Sequence, residues 1–314
     1  MIRNSLYKVV VVLILLIAAT ALLGEVTVAA TNVGTSAADF LLIGYGARAA
    51  SLGGAFTAVS NGASAGYWNP AGLTSLEGGE VTLGHFSWLQ DISVEQAAIG
   101  FPLRDGLVAG VSLTYVNYGT IDGYDANGLA TGQLTAYDYA AGVSLGFNLM
   151  ESLSLGVTSK YISQRLDDVS ASSMAFDVGA KFELESFALA ASVVNVGSRM
   201  QFDRVSEDLP SAARLGISFV PFADGLLTSI EVEHRFNGDL LIRQGLELGF
   251  SERYFLRTGY DYMPGQNERW LATRIAVGGG LKLDAAAIDY SFTPNDKSTT
   301  EDIHRFTVSY SFGN

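Results

Sequence analysis

From about residue 80 to its end the chain alternates with a period of two, and few folds tolerate that over so many segments. Leu107, Ala109, Val111, Leu113 and Tyr115 alternate with Val108, Gly110, Ser112, Thr114 and Val116. Tyr137, Tyr139, Ala141, Val143, Leu145 and Phe147 alternate with Ala136, Asp138, Ala140, Gly142, Ser144 and Gly146. The same comb returns as Met174, Phe176 and Val178 against Ala175, Asp177 and Gly179, and at the end as Phe306, Val308, Tyr310 and Phe312 against Arg305, Thr307, Ser309 and Ser311. Successive side chains of a strand point to opposite faces, so each comb is a strand with one apolar, aromatic face and one polar or very small face. A soluble sandwich and a membrane barrel both satisfy this, and the charges decide between them. Glu231, Glu233, Arg235, Arg243, Glu247, Arg253, Arg257, Arg274, Asp289 and Arg305 fall on the polar face, as does Asp138, while the opposite face of these strands carries essentially none. A charge-free face with aromatics near its ends, over segments of about ten residues, is the pattern of a transmembrane barrel with lipid outside and a polar lumen.

The combs predict an all-β fold, a transmembrane antiparallel β-barrel of about 14 strands, an even number as such barrels require. The strands are placed at 79–88, 91–101, 106–118, 134–149, 151–165, 173–184, 186–197, 211–220, 226–236, 240–250, 252–262, 270–283, 284–293 and 302–313. The gaps after even strands are short, and most of those after odd strands are longer, notably 119–133, 198–210, 263–269 and 294–301. Short turns on one rim and long loops on the other are expected of these barrels, with the short turns periplasmic. Proline cannot donate to a ladder, and Pro70, Pro102, Pro210, Pro221, Pro264 and Pro294 all fall in gaps or at strand ends.

Residues 1–30 are expected to be a signal peptide. Arg3 and Lys8 precede the apolar run Val9 to Leu23, and Val28, Ala29 and Ala30 form a small-residue cleavage site. Removing Arg3, Lys8 and Glu25 takes away a net +1, so the formal charge of −13 becomes −14. An exported chain this acidic lacks the basic surface that nucleic-acid binding needs. It has no cysteine, hence no disulfide, no thiol chemistry and no lipidated cysteine. Its 48% hydrophobic and 16% charged residues suit a wall that faces lipid.

Residues 31–78 break the period and precede the barrel at 79–314. Phe40 to Ile43 could be a short strand, and Gly44, Gly46 and Ala49 then fit a G-x-G-x-x-A loop of the kind whose backbone amides cradle pyrophosphate. The ribose-binding acid about 20 positions on is missing, because nothing acidic lies between Asp39 and Glu77. The whole stretch is instead rich in Gly, Ala and Ser, with Arg48 as its one basic residue. It resembles the N-terminal signature of the PorV/PorQ family of outer-membrane proteins, which belongs with the FadL-type transporters. Gly44, Gly46, Arg48, Gly53, Gly54 and the run Trp68, Asn69, Pro70, Ala71, Gly72, Leu73 carry that likeness, with His85 to Ile92 similar to the family's first hairpin. The resemblance implies a 14-stranded barrel whose N-terminal segment folds back as a plug in the lumen. It also implies a part in protein secretion across the outer membrane, with type IX machinery and exported cargo as partners. The alternative it leaves open is a FadL-like passive channel for hydrophobic small molecules, and the modest loops favour the first. A small-residue plug should lie against the small-residue wall of strands 106–118, 134–149 and 151–165, with Arg48 reaching Asp138 or a lumen glutamate. The expected setting is a monomeric barrel in the outer membrane with both termini periplasmic.

No catalytic, cofactor or metal site is expected. His85, His234 and His304 are far apart in sequence and lack metal-ligand spacing, and no G-x-S-x-G occurs. The lumen glutamates beside arginines could be a paired-carboxylate site, and the simpler account is a lattice of ion pairs bracing the wall.

Overall fold

A computed structural model describes residues 36–314, except 89–91, 203, 222–224, 265–274, 295–301 and 314. The expected signal peptide, most of the 263–269 and 294–301 gaps, and Arg274 lie outside the described residues.

The chain begins with a 3-10 turn at Asp39–Leu42, the five-residue helix α1 (Ala47–Ser51), the single turn α2 (Ala65–Trp68) and a second 3-10 turn at Pro70–Ser75. The strands follow as β1 (Gly79–Ser87), β2 (Ser93–Arg104), β3 (Leu107–Tyr124), β4 (Ala130–Met150), β5 (Leu153–Leu166), β6 (Val169–Leu184) and β7 (Phe187–Gly197). A short hairpin of β8 (Met200–Phe202) and β9 (Val205–Glu207) interrupts them. The series then resumes with β10 (Ala212–Phe219), β11 (Leu226–Arg235), β12 (Leu240–Phe250), β13 (Tyr254–Tyr262), β14 (Ile275–Leu283), β15 (Ala286–Thr293) and β16 (Ile303–Phe312). Each barrel strand pairs antiparallel with its neighbours, β7 with β10 across the hairpin, and β1 pairs with β16 to close a barrel of fourteen.

The alternation sets which residues face out. Val111, Leu113, Val143, Leu145, Phe176, Val178, Phe306 and Val308 are exposed on the outer surface, whereas Val108, Thr114, Ser144, Asp177 and Thr307 are buried inside. Tyr115, Tyr139 and Phe306 mark an aromatic level near one rim, and Phe101, Phe147 and Phe312 one near the other. Tyr139 and Phe147 stand eight residues apart on one strand face. At about 3.3 Å per residue and a tilt of about 40° that is a vertical span of about 20 Å, close to the apolar band of a membrane barrel.

One rim holds the turns at 105–106, 151–152, 185–186, 251–253 and 284–285, and the other holds most of the longer connections together with a two-residue turn at 167–168. They are called here the turn rim and the loop rim. Pro102 lies within β2 near its end, at a break in register, where a missing N–H costs no central ladder bond. The gap expected at 119–133 is mostly strand, because β3 and β4 continue pairing to Tyr124 and Ala130 and leave only 125–129 as turn. The 198–210 gap contains the β8–β9 hairpin, whose Met200 packs with Leu209, Phe40, Leu41, Phe86 and Ile162 in an apolar cluster at the loop rim.

Candidate functional site

The segment before β1 runs inside the barrel. Ser36 bridges Asp208 beside β9 at the loop rim, and Gly79 pairs with Phe312 at the turn rim. The described residues thus begin at the loop rim and end at the turn rim, and the N-terminus expected near residue 31 lies outside them. The segment must cross the lumen before it can enter β1.

Its first stretch is the one whose sequence fits a short strand followed by a phosphate loop. Asp39–Leu42 is a 3-10 turn. The amides that would hold a pyrophosphate are taken by other side chains. Gly44 N donates to the Tyr67 hydroxyl at 3.0 Å, Gly46 N to Gln96 Oε1 at 2.9 Å, and Ala47 N to Thr307 Oγ1 at 2.8 Å. Gln96 also donates its Nε2 to Gly44 O at 2.7 Å, so one barrel amide clamps the loop from both sides.

From α1 the segment runs around the inner wall. Arg48 makes a bidentate pair with Glu247, Nε to Oε2 at 2.8 Å and Nη2 to Oε1 at 3.0 Å. Burial alone would lower the Arg48 pKa, but the Glu247 carboxylate outweighs it and holds the guanidinium above its ordinary range. Glu231 Oε2 accepts the successive amides of Phe56 (3.1 Å) and Thr57 (2.8 Å), and Glu80 Oε1 accepts Ala63 N at 2.8 Å. Thr158 and Ser192 donate to the carbonyls of Gly66 and Trp68. Burial, with Glu80 adding, lifts the Tyr45 phenol far above its usual range, so it stays neutral.

Close approach explains the glycines. A Cβ on Gly156 or Gly179 would run into Pro70 or Asn69, one on Gly259 or Gly278 into Leu52 and Gly53 or Ser51, and one on Gly146 would crowd Pro70 and Leu73. These wall glycines lie on both sides of the barrel. The segment thus does not keep to the small-residue wall: Pro70 to Thr74 lies there, but α1 and Leu52 lie against the charged sector. The charges of that sector pair among themselves and leave glycine-lined floor between them. Gly53 fits against the Tyr260 backbone, Gly54 against the Arg243 side chain, and Gly72 against Ser60 O, each where a Cβ would crowd.

Trp68 and Asn69 anchor the middle. The Trp68 indole donates to Tyr45 O at 3.0 Å, meets Phe56 and Tyr67 edge to face, and carries the Arg214 guanidinium 5.3 Å from its ring centre. Asn69 Oδ1 caps the following 3-10 turn at Ala71 N (3.1 Å), Pro70 opens that turn, and Asn69 Nδ2 donates to Ala180 O on β6 at 3.1 Å. Asn69→Ala is expected to cost about 1–3 kcal/mol by removing the cap and orphaning a buried carbonyl. Limited proteolysis should then cut the segment at protease levels the parent withstands, and an unchanged pattern would count against the anchor.

Most of the remaining charges on the lumen side of β10 to β15 form two networks among the described residues. Glu233, fully buried, accepts Arg214 Nε at 2.7 Å, Arg235 Nε at 2.9 Å and Arg243 Nη1 at 2.9 Å, and the same Arg243 nitrogen reaches Glu231 at 2.9 Å. Arg257 joins Glu247 at 2.5 Å and Asp289 at 2.6 Å. Asp138 is apart from both and accepts Tyr118 Oη at 2.7 Å and Gln164 Nε2 at 2.8 Å, so it is not the partner of Arg48. Arg253 is not a lumen charge. It sits in the β12–β13 turn, 64% exposed, with Asp284 at 3.9 Å, because β13 starts at Tyr254, two residues later than the comb suggests. Arg305 lies inside, its guanidinium 4.0 Å from the Phe86 ring centre and Nη1 donating to Ile43 O at 3.1 Å. His85 lies on Glu95 and His304 on Tyr290, the two histidines being diagonal neighbours on the paired strands β1 and β16, and His234 lies beside Phe236.

Several functional residues were not singled out in the sequence: Gln96, Glu80, Arg214 and the buried Lys160 with Asp177 at 2.6 Å. Each occupies an inward comb position, and that was the available signal.

A family described as "Uncharacterised protein family (UPF0164)" matches residues 17–161. Among solved structures the chain resembles the Pseudomonas putida toluene transporter TodX at 14% identity, covering 85% of this chain and 98% of that one with a TM-score of 0.61. It also resembles the CymD monoaromatic hydrocarbon channel (12%, 87% and 99%, TM-score 0.66) and a Pseudomonas aeruginosa FadL homologue (11%, 90% and 99%, TM-score 0.57). At these identities the likeness is one of fold, a FadL-like closed barrel. No curated protein matches the sequence.

Proposed function

We propose that the protein is an outer-membrane transport barrel for small apolar or amphiphilic compounds, with residues 38–76 as a plug that denies passage to bulk solutes. One observation carries this reading: the segment's backbone is bonded to inward side chains around the wall, from Gln96 through Glu247 and Glu231 to Thr158 and Ser192. It separates a cavity of about 370 Å³ toward the turn rim from one of about 230 Å³ toward the loop rim. The apolar outer belt supports a membrane setting. The fold likeness to a toluene transporter and a monoaromatic hydrocarbon channel supports apolar cargo. Protein secretion, which the PorV/PorQ likeness implies, has less support, because the motif that carries it, with Trp68, Asn69 and Leu73 buried, serves packing inside the barrel.

Proteoliposomes holding the protein should take up a small aromatic hydrocarbon faster than empty ones, while sucrose stays excluded. Equal hydrocarbon rates in both, or free sucrose entry, would sink the reading. The setting is tested separately on intact cells, in a chain with no cysteine of its own. Cysteines replacing Ser36 or Asn127 should react with a membrane-impermeant reagent, and one replacing Glu151 should not. The reverse pattern would invert the barrel, and labelling of Asn127 without Ser36 would remove the segment's first residues from the outer rim.

A further inference from the structure

From one aromatic level to the other, the outward strand positions carry a single carboxylate among the described residues, Glu95. It belongs to the upper of two rows of paired outward residues that cross β3, β2, β1 and β16. The upper row, at the loop-rim aromatic level, is Tyr115, Glu95, His85 and Phe306. The lower row, one step nearer the middle of the membrane, is Leu113, Ala97, Leu83 and Val308. Glu95 Oε1 meets His85 Nδ1 at 2.8 Å, and both side chains are open to the surroundings, 50% and 55% exposed. The lower row dips at Ala97 between two leucines. With Gly84 beside it, this leaves an open depression of about 400 Å³ walled by Leu83, Leu113, Phe306 and Val308, with the charged pair along its rim side.

A carboxylate can only accept, so the proton of the bond between them belongs to His85 Nδ1, and the neutral ring keeps a lone pair on Nε2. The pair therefore offers the membrane two adjacent acceptors, Glu95 Oε2 and His85 Nε2, and one negative charge. A primary ammonium answers all three, because it is a cation with several donors. A quaternary ammonium has the charge but no donor, and a hydroxyl headgroup has the donor but no charge. The depression says what the ammonium is attached to. Aromatic girdles mark the level where headgroups meet chains, and the depression opens below that level, where acyl chains lie. A water-soluble amine would leave its apolar lining bare. A second copy docked about a two-fold axis at this spot would set one Glu95 against another, which disfavours it. We propose that this spot binds one phospholipid with a phosphoethanolamine headgroup, its ammonium on Glu95 and His85 and an acyl chain over Ala97. The proposal needs the membrane setting but not the cargo, so it goes beyond the transport reading and does not fall with hydrocarbon uptake.

Native mass spectrometry of the full-length barrel released from micelles reads lipid retention directly, with phosphatidylethanolamine, phosphatidylcholine and phosphatidylglycerol of identical chains offered one at a time. A single saturable phosphatidylethanolamine adduct is expected, about fivefold or more abundant than with either other lipid at equal concentration. Glu95→Gln keeps the shape of an exposed side chain and removes its charge, so the variant should fold. It should bring phosphatidylethanolamine down to the level of phosphatidylcholine, and the comparison among the three lipids in the parent needs no variant at all. Equal retention of the three lipids, or an undiminished preference in E95Q, would overturn the proposal. So would a mass of two barrels in the parent that E95Q disperses, by giving the spot to a second copy.

Discussion

Deleting residues 38–76 is expected to turn a barrel that passes almost no current in a planar bilayer into an open pore, with conductance rising roughly tenfold or more, because the emptied lumen of a barrel this wide fills with water. The deletion removes the backbone that Gln96, Glu231, Glu247 and Thr158 now hold. Should the shortened chain fail to fold, Gly156→Val and Gly259→Val test the same point within the full-length protein. Both glycines face the segment so closely that a Cβ overlaps its backbone, while valine suits a strand. Each should loosen the segment from one side of the wall and bring intermittent opening. Steady porin-sized conductance from the parent, or silent traces from all three variants, would show that the segment does not close the lumen.

The other large effect is expected on stability. Glu233→Gln removes the charge shared by Arg214, Arg235 and Arg243, and breaking a buried network of this kind costs about 3–5 kcal/mol, because it strands charge that cannot reach water. Arg243 keeps Glu231 and Arg235 keeps Asp239 at 3.9 Å, which places the effect toward the lower end of that range. The midpoint of urea unfolding in micelles should fall accordingly. An E233Q protein with the parent midpoint would mean that the network is solvated and contributes almost nothing.

The wall was legible because a strand's two faces are decided locally. Asp138, Glu231, Glu247 and Arg305 could be assigned inward from neighbours two positions away, and the parity of short and long gaps fixed both the strand number and the rims. Arg253 failed at a boundary, where one residue of slip moves a side chain from lumen to turn. The path of residues 36–78 was not legible, since an irregular backbone has no period. Whether Arg48 meets Asp138 or Glu247 depends on where a chain 90 or 199 positions away passes. The wall glycines were visible in the sequence as inward positions on strand after strand, but their purpose appears only once Pro70, Leu52 and Ser51 are seen against them.

A chain that runs through the inside of its own barrel constrains the order in which it can be built. Ala47 bonds Thr307, 260 positions later, and the seam between β1 and β16 is the last contact that synthesis makes possible. With Pro70 against Gly156 on one side and Leu52 against Gly259 on the other, a finished ring leaves no clearance for the segment to be drawn in afterwards. The early strands must therefore curve around a segment already in position, which then serves as the mandrel on which the late strands are laid. Such long-range closure is slow, and it exposes the unpaired edge of β1 until β16 arrives. Because Ser36 lies at the loop rim, a tightly folded domain inserted just ahead of it would have to travel with the loops. It would hold the mandrel half withdrawn.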